Sequence, residues 1–222
     1  MLLKNKALAG LAALTLVGGG AVLAGSTANA ATIRCGNDCE TLASQKFGAT
    51  NVMAVGSSSS GVLAPFWYRE SEDFLADYQG TVKDFAKAGI ISQSIANTYG
   101  KDQVFQYVYA PAGNASSGQC LGTTAGSTAV TLQKCGQTAS TVWVALSGWQ
   151  HGNFMPLLSA ALSAKSAMLL TATTASGPLA VTQMNLGTTV SNGVTTTTPS
   201  SYQMWETVAG AFNSSTTSDA AG

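Results

Sequence analysis

One pattern recurs along this chain and limits what it can fold into. Residues 120–143 read CLGTTAGSTAVTLQKCGQTASTVW. Residues 169–205 read LLTATTASGPLAVTQMN, then a Thr/Gly/Asn-rich insertion, then SYQMW. Both run from an apolar strand through a turn of small residues into a second strand carrying Ala-Val-Thr. A spacer follows, and a Trp opens a third strand. A fainter copy comes earlier, in Val52–Val55, a Ser-rich turn, Val62–Pro65 and Glu72-Asp73-Phe74. Twelve positions separate Val62 from Phe74 and thirteen separate Val130 from Trp143. A unit this short cannot close a core alone, so stacked copies must share one. Three copies around a pseudo-threefold axis can do so, with Phe74, Trp143 and Trp205 at the shared centre. These aromatics lie 69 and 62 positions apart, which requires long inserted loops.

The remaining punctuation fits an all-β domain. Short β-branched and aromatic runs alternate with Gly/Ser/Asn clusters. The clearest are Asn51–Val55, Val104–Tyr109, Ala129–Gln133, Thr141–Leu146, Met168–Thr173, Leu179–Met184 and Tyr202–Val208. Helical spacing shows only near residues 71–88, where Phe74, Tyr78, Val82 and Phe85 recur at intervals of four, four and three. That stretch reads as one short helix or a pair of short strands. Residues 195–201 read as a loop, and residues 213–222 as a disordered tail.

Residues 1–30 read as a secretory signal peptide: Lys4 and Lys6, then the apolar run Ala7–Val17, then the small-x-small site Ala28-Asn29-Ala30. The run is diluted by Gly18-Gly19-Gly20, so it reads as a cleaved signal rather than a membrane span, and no later stretch suits insertion. Ten basic and ten acidic residues balance over the whole chain, and Lys4 and Lys6 leave with the signal. The mature chain is slightly acidic, with no basic surface for nucleic acid. All four cysteines follow the cleavage site. An even count in an exported chain points to disulfides. Four cysteines allow three pairings, and the local ones are favoured: Cys35–Cys39, and Cys120–Cys135 across a hairpin. Zinc would need closer pairs or added histidines, and His151 is the chain's one histidine. No metal and no cofactor are expected.

The repeat has a further likeness. Cys120-Leu121, Val130-Thr131-Leu132, Cys135-Gly136, Trp143 and the Gln203-Met204-Trp205 triplet resemble the ricin-B-type β-trefoil lectins. Phe105-Gln106-Tyr107 and Gly118-Gln119-Cys120-Leu121-Gly122 resemble a group of small exported bacterial proteins with trefoil-like repeats. The resemblance implies a degenerate β-trefoil over residues 45–212, preceded at 31–44 by a segment holding the Cys35–Cys39 loop. It also implies a sugar-contacting acid just after Cys-Leu, because a carboxylate accepts two hydroxyl hydrogen bonds at once. This chain has Gly122 there, and Thr171 in the third copy. Gln203 matches a structural residue of that family. Aromatics in loop-like segments, Trp67 with Tyr68 and Trp149 with His151, are the sugar-stacking candidates.

Chemistry has little to work with. His151 lies in a polar loop and no Gly-x-Ser-x-Gly elbow occurs. Glu70, Glu72, Asp73 and Asp77 gather carboxylates, and Asp73 and Asp77 would share a face of a helix. Lys83, Asp84 and Lys87 follow them, as on an ordinary solvated face. The expectation is a secreted, non-enzymatic binding protein for a glycan or cell-wall polymer. The alternatives are a structural protein of the cell envelope and a secreted hydrolase using the carboxylates near Glu72.

Overall fold

The computed structural model describes Cys35 and residues 38–67, 70–111, 116–124 and 126–209. The expected signal peptide at 1–30, Tyr68 and the expected tail at 213–222 lie outside the described residues. The first repeat comprises β1 (Glu40–Ser44), β2 (Gly48–Val55), β3 (Gly61–Pro65) and β4 (Phe74–Thr81). Two helices follow, α1 (Val82–Lys87) and α2 (Gln93–Tyr99). The second repeat holds β5 (Gln103–Tyr109), β6 (Gln119–Thr123), β7 (Val130–Lys134) and β8 (Trp143–Ala145). The third holds β9 (Leu157–Ser159), β10 (Met168–Thr171), β11 (Gly177–Pro178) and β12 (Ala180–Gln183). The hairpin β13 (Leu186–Ser191) and β14 (Val194–Pro199) comes next, then β15 (Trp205–Ala209).

Six strands close a barrel. β1 pairs with β4, β4 with β5, β5 with β8, β8 with β9, and β15 returns to β1. A bridge between Met155 and Trp205 seals the gap between the β9 segment and β15. Closure leaves no open barrel edge. The register repeats three times. Glu40 faces Phe74, Phe105 faces Trp143, and Met155 faces Trp205. Across the joins between repeats, Phe74 faces Tyr109, Trp143 faces Ser159, and Trp205 faces Ser44. Ala43–Val52, Val108–Cys120 and Leu158–Leu169 tie each first strand to its own hairpin. Six barrel strands and three capping hairpins with threefold register make this a β-trefoil.

The hairpins β2–β3, β6–β7 and β10–β12 meet one another at one end of the barrel. Leu63 pairs with Gly177, Ser60 bridges to Thr131, and Ala129 bridges to Ala180. Gly61 of β3 packs against the β6–β7 hairpin. A Cβ there would lie 2.9 Å from Val130 Cγ1 and 3.1 Å from Leu121 Cδ1, so side chains of the second repeat fill its place. Beneath the cap, Leu42, Tyr107 and Leu157 occupy equivalent inward positions, with Phe74, Trp143 and Trp205 beside them in one core. Trp143 Nε1 donates to the Leu121 carbonyl at 2.9 Å, and Trp205 Nε1 donates to the Leu170 carbonyl at the same distance. Each indole thus joins a barrel strand to its own hairpin.

Both faces of β8, β9 and β10 are buried. Trp143, Ala145, Leu157 and Leu170 point inward, while Val142, Val144, Leu158 and Leu169 point outward into a second cluster. Val82, Phe85, Ile91 and Ile95 of the helical insertion cover that outer face. Two insertions therefore account for the long spacing between the aromatics: the helices before β5, and the β13–β14 hairpin before β15.

Three elements differ from the sequence expectation. Residues 71–88 hold a strand followed by a helix. Phe74 and Tyr78 are four apart, a spacing that shares a face in strands as well as helices. Val82 and Phe85, three apart, are the helical pair. Thr81 caps α1, its hydroxyl oxygen accepting from Asp84 N–H at 3.3 Å. The expected loop at 195–201 is largely β14, paired with β13 about an Asn192-Gly193 turn at φ 51° and 77°. Positive φ at both central residues marks the hairpin turn that Asn-Gly favours. The barrel itself begins at Glu40, within the stretch read as an N-terminal segment.

Both expected disulfides form. Cys35–Cys39 and Cys120–Cys135 have Cα separations of 4.7 and 4.9 Å, and the second spans the β6–β7 hairpin.

Replacing Trp205 by Phe keeps most of the buried ring but removes the donor to Leu170. Urea unfolding should show a loss of about 1–3 kcal/mol, the cost of stranding a buried hydrogen-bonding group. Glu40 supplies a pH test. Burial pushes its carboxyl up, and the Asp38 charge adds to this. A raised folded value means the penalty is absent below the unfolded value and grows as pH rises through the folded one. Glu40→Gln should therefore raise the Tm at pH 7, and the gain should vanish near pH 3.

Candidate functional site

Two residues before each core aromatic stands a buried polar side chain: Glu72, Thr141 and Gln203. Each pins the loop that leads into the fourth strand of its repeat. A Glu72 carboxylate oxygen accepts from Trp67 N–H at 3.2 Å, and the Thr141 hydroxyl donates to the Gly136 carbonyl at 2.5 Å. Gln203 makes the widest set. Its Nε2 donates to Thr182 Oγ1 and to the Gln183 carbonyl, both at 2.9 Å. Its Oε1 accepts from Asn185 N–H at 2.9 Å. The structural role expected for Gln203 is what these bonds provide.

The three repeats differ at the position where the resemblance places a sugar-binding acid. In the second repeat this is Gly122, beside Leu121. A Cβ on Gly122 would lie 2.3 Å from the Ser140 carbonyl oxygen, so the loop before Trp143 already occupies that space. Ser140 is held there by Thr123 N–H, which donates to its carbonyl at 2.8 Å. The first repeat has Ala54, which is buried. In the third repeat the position is Thr171. There the β13–β14 insertion leaves the barrel after Asn185 and returns at Ser200, whose N–H donates to the Asn185 carbonyl at 2.7 Å. The closing loop stands clear, and an open cavity of about 320 Å³ remains.

Thr171, Thr173, Thr182, Asn185, Tyr202 and Gln203 line this cavity. No Asp, Glu, Lys, Arg or His is among its lining residues. Thr171 and Thr182 share a 2.7 Å hydroxyl–hydroxyl hydrogen bond. Tyr202 forms the rim at 37% exposure. Phe47 meets its ring edge-on at 5.8 Å, and Lys46 Nζ sits 5.0 Å from its centroid. Such a site offers neutral hydrogen-bond donors and acceptors under one aromatic ring. It offers no proton-transfer pair.

The sequence candidates lie elsewhere. Trp67 is 63% exposed in the loop after β3. Trp149 packs half-buried against the outer core, in a short turn after β8. His151 is exposed and bridges backbone to backbone with Phe154. Glu72 is buried at the loop contact given above. With Asp73–Asp77 extended rather than helical, those two positions stand about 13 Å apart along the chain direction, beyond the ~5–9.5 Å of paired glycosidase carboxylates. Thr173, Thr182, Asn185 and Tyr202 drew no attention as site residues in the sequence. The Asn-Gly turn between alternating residues was the available signal that the insertion is a hairpin holding a loop open.

No protein-family model and no curated protein matches the chain. Among solved structures it is similar to a designed three-fold symmetric protein, ThreeFoil, at a TM-score of 0.45 and 13% identity. That match covers 77% of this chain and 97% of the other. The β-trefoil assignment stands on the strand register of this chain.

Gly122→Ala tests the closed position. The added methyl collides with backbone, so chemical denaturation should show a loss of about 1–3 kcal/mol, as for overpacked sites. Thr171→Ala acts by another route, removing a buried hydroxyl bonded to Thr182 and to the Leu169 carbonyl, and should also lose about 1–3 kcal/mol.

Proposed function

We propose that this is an exported, non-enzymatic binding protein whose third repeat receives an uncharged polyhydroxylated ligand, a glycan or cell-envelope polymer. One observation carries the reading. Of three pseudo-equivalent positions, the one that opens into a cavity is lined by hydroxyls and amides beneath an exposed Tyr. Alternating hydroxyl and apolar C–H faces are what a sugar ring presents, and an aromatic ring with neutral hydrogen-bonding groups complements them. The likeness of Gln203-Met204-Trp205 to the ricin-type motif supports the same reading. So does a surface poor in charge. The signal-like residues 1–30 support export, and two disulfides fit an oxidising compartment.

Without the family's carboxylate, the hydrogen bonds to sugar are neutral and weaker than charge-assisted ones. Recognition then leans on the ring of Tyr202, with Trp67 as a second, separate platform. On a glycan array and a cell-wall pull-down, the folded protein should bind at least one glycan. Tyr202→Ala should weaken that binding at least ~tenfold, a loss of about 1.4 kcal/mol, with an unchanged circular dichroism spectrum. Absence of binding by folded protein to every glycan and wall preparation would leave the envelope structural role in its place.

A further inference from the structure

We propose that the cleft between α1 and α2 is a second binding site, for a phosphate-bearing anion, independent of the third-repeat cavity. The two helices leave an open cavity of about 830 Å³ between them, within the roughly 300–1,000 Å³ range of ligand pockets. Lys83, Lys87 and Lys101 line it. Lys83 and Lys87 are four apart on α1 and so share a face. Lys101 enters from the turn after α2. All three are exposed, and none forms an ion pair among the described residues. The described residues contain six lysines, and three of them converge here.

The two acids at this cleft already have partners. Asp84 accepts from the Thr81 hydroxyl at 2.6 Å. Asp102 accepts from Ser147 N–H at 3.1 Å and from its hydroxyl at 2.5 Å. These contacts orient the carboxylates toward the protein's own donors, while the three ammonium groups form no ion pair among the described residues. A neutral donor adds to them. Gln93 Nε2 donates to Asn97 Oδ1 at 3.1 Å, which leaves the Asn97 amide protons to donate to a ligand.

The platform is fixed. Val82, Phe85, Ile91 and Ile95 are buried against the outer barrel face. Val82 N–H donates to the Asp102 carbonyl at 3.0 Å and Lys83 N–H to the Gly100 carbonyl at 3.1 Å, tying the start of α1 to the end of α2. A Cβ on Gly100 would lie 2.6 Å from the Ala96 carbonyl, so a glycine allows the tight turn that brings in Lys101. Ammonium groups arriving from two sides suit a ligand with several anionic oxygens, and lysine serves such groups as a point charge.

The test titrates the folded mature protein with sodium tripolyphosphate and, separately, with a glycerol-phosphate oligomer, by calorimetry at low and at 0.15 M salt. Binding that weakens with salt is expected, as for partly exposed ion contacts. The triple variant K83Q/K87Q/K101Q should bind at least ~tenfold more weakly. The control K134Q/K165Q and the rim variant Tyr202→Ala should bind as the wild type does. The oligomer binding more tightly than tripolyphosphate would identify a phosphodiester polymer as the source, and the reverse a free phosphate compound. No heat with either probe overturns the proposal. So does an equal loss in the K134Q/K165Q control, which would mean diffuse electrostatics. Because the substituted lysines are exposed, the variants keep the core, and circular dichroism checks this. Failure here leaves the glycan reading standing, and failure there leaves this one.

Discussion

Each complete repeat of this barrel depends on the aromatic side chain that begins its fourth strand. Trp143 and Trp205 fill the shared core, and each donates its indole N–H to a carbonyl of the hairpin that caps its own repeat. The ring supplies apolar burial and the N–H supplies direction, so hairpin and barrel strand cannot slide independently. Phe74 fills the third place with the ring alone, and there the Glu72 carboxylate secures the neighbouring loop through Trp67 N–H. These three rings lie in one buried core, which the closed barrel and its capping hairpins surround.

Departures from threefold symmetry give the molecule its distinct surfaces. A regular trefoil would present one site three times. Here the second repeat fills the position after Leu121 with the Ser140 carbonyl, while the equivalent position of the third lines a cavity beside the root of the β13–β14 hairpin. The helical insertion of the first repeat covers an outer barrel face and leaves a lysine-lined cleft on its far side. Each insertion thus adds contacts at its root, where it packs, and a surface at its tip or flank. The core is nearly symmetric because three copies must share it. The periphery is free to differ because little packs against it.

The repeat was legible because its parts are local. A turn of small residues, a strand with Ala-Val-Thr and an aromatic at fixed spacing survive in the linear order, and both disulfide partners are near neighbours in sequence. Three features were less legible. Phe74 and Tyr78 sit at a spacing that strands and helices share, so β4 and α1 merged into one reading. The polar composition of residues 195–201 suggested a loop, although β14 pairs through its backbone and exposes its side chains. The short strands β1 and β9 carry too few residues to show a period.

By itself, the sequence determined a three-unit β architecture, its central aromatics and its two disulfides, because these rest on residue type and short spacing. Tertiary structure alone decided which site is open. Whether Thr171 faces a cavity, and Gly122 a carbonyl, depends on where a loop lies after a hairpin has diverted it. The same holds for Lys83, Lys87 and Lys101. Their convergence comes from packing Val82, Phe85, Ile91 and Ile95 onto the outward faces of strands far away in the chain. Shared position in space, unlike period or motif, leaves no local mark on the order of residues.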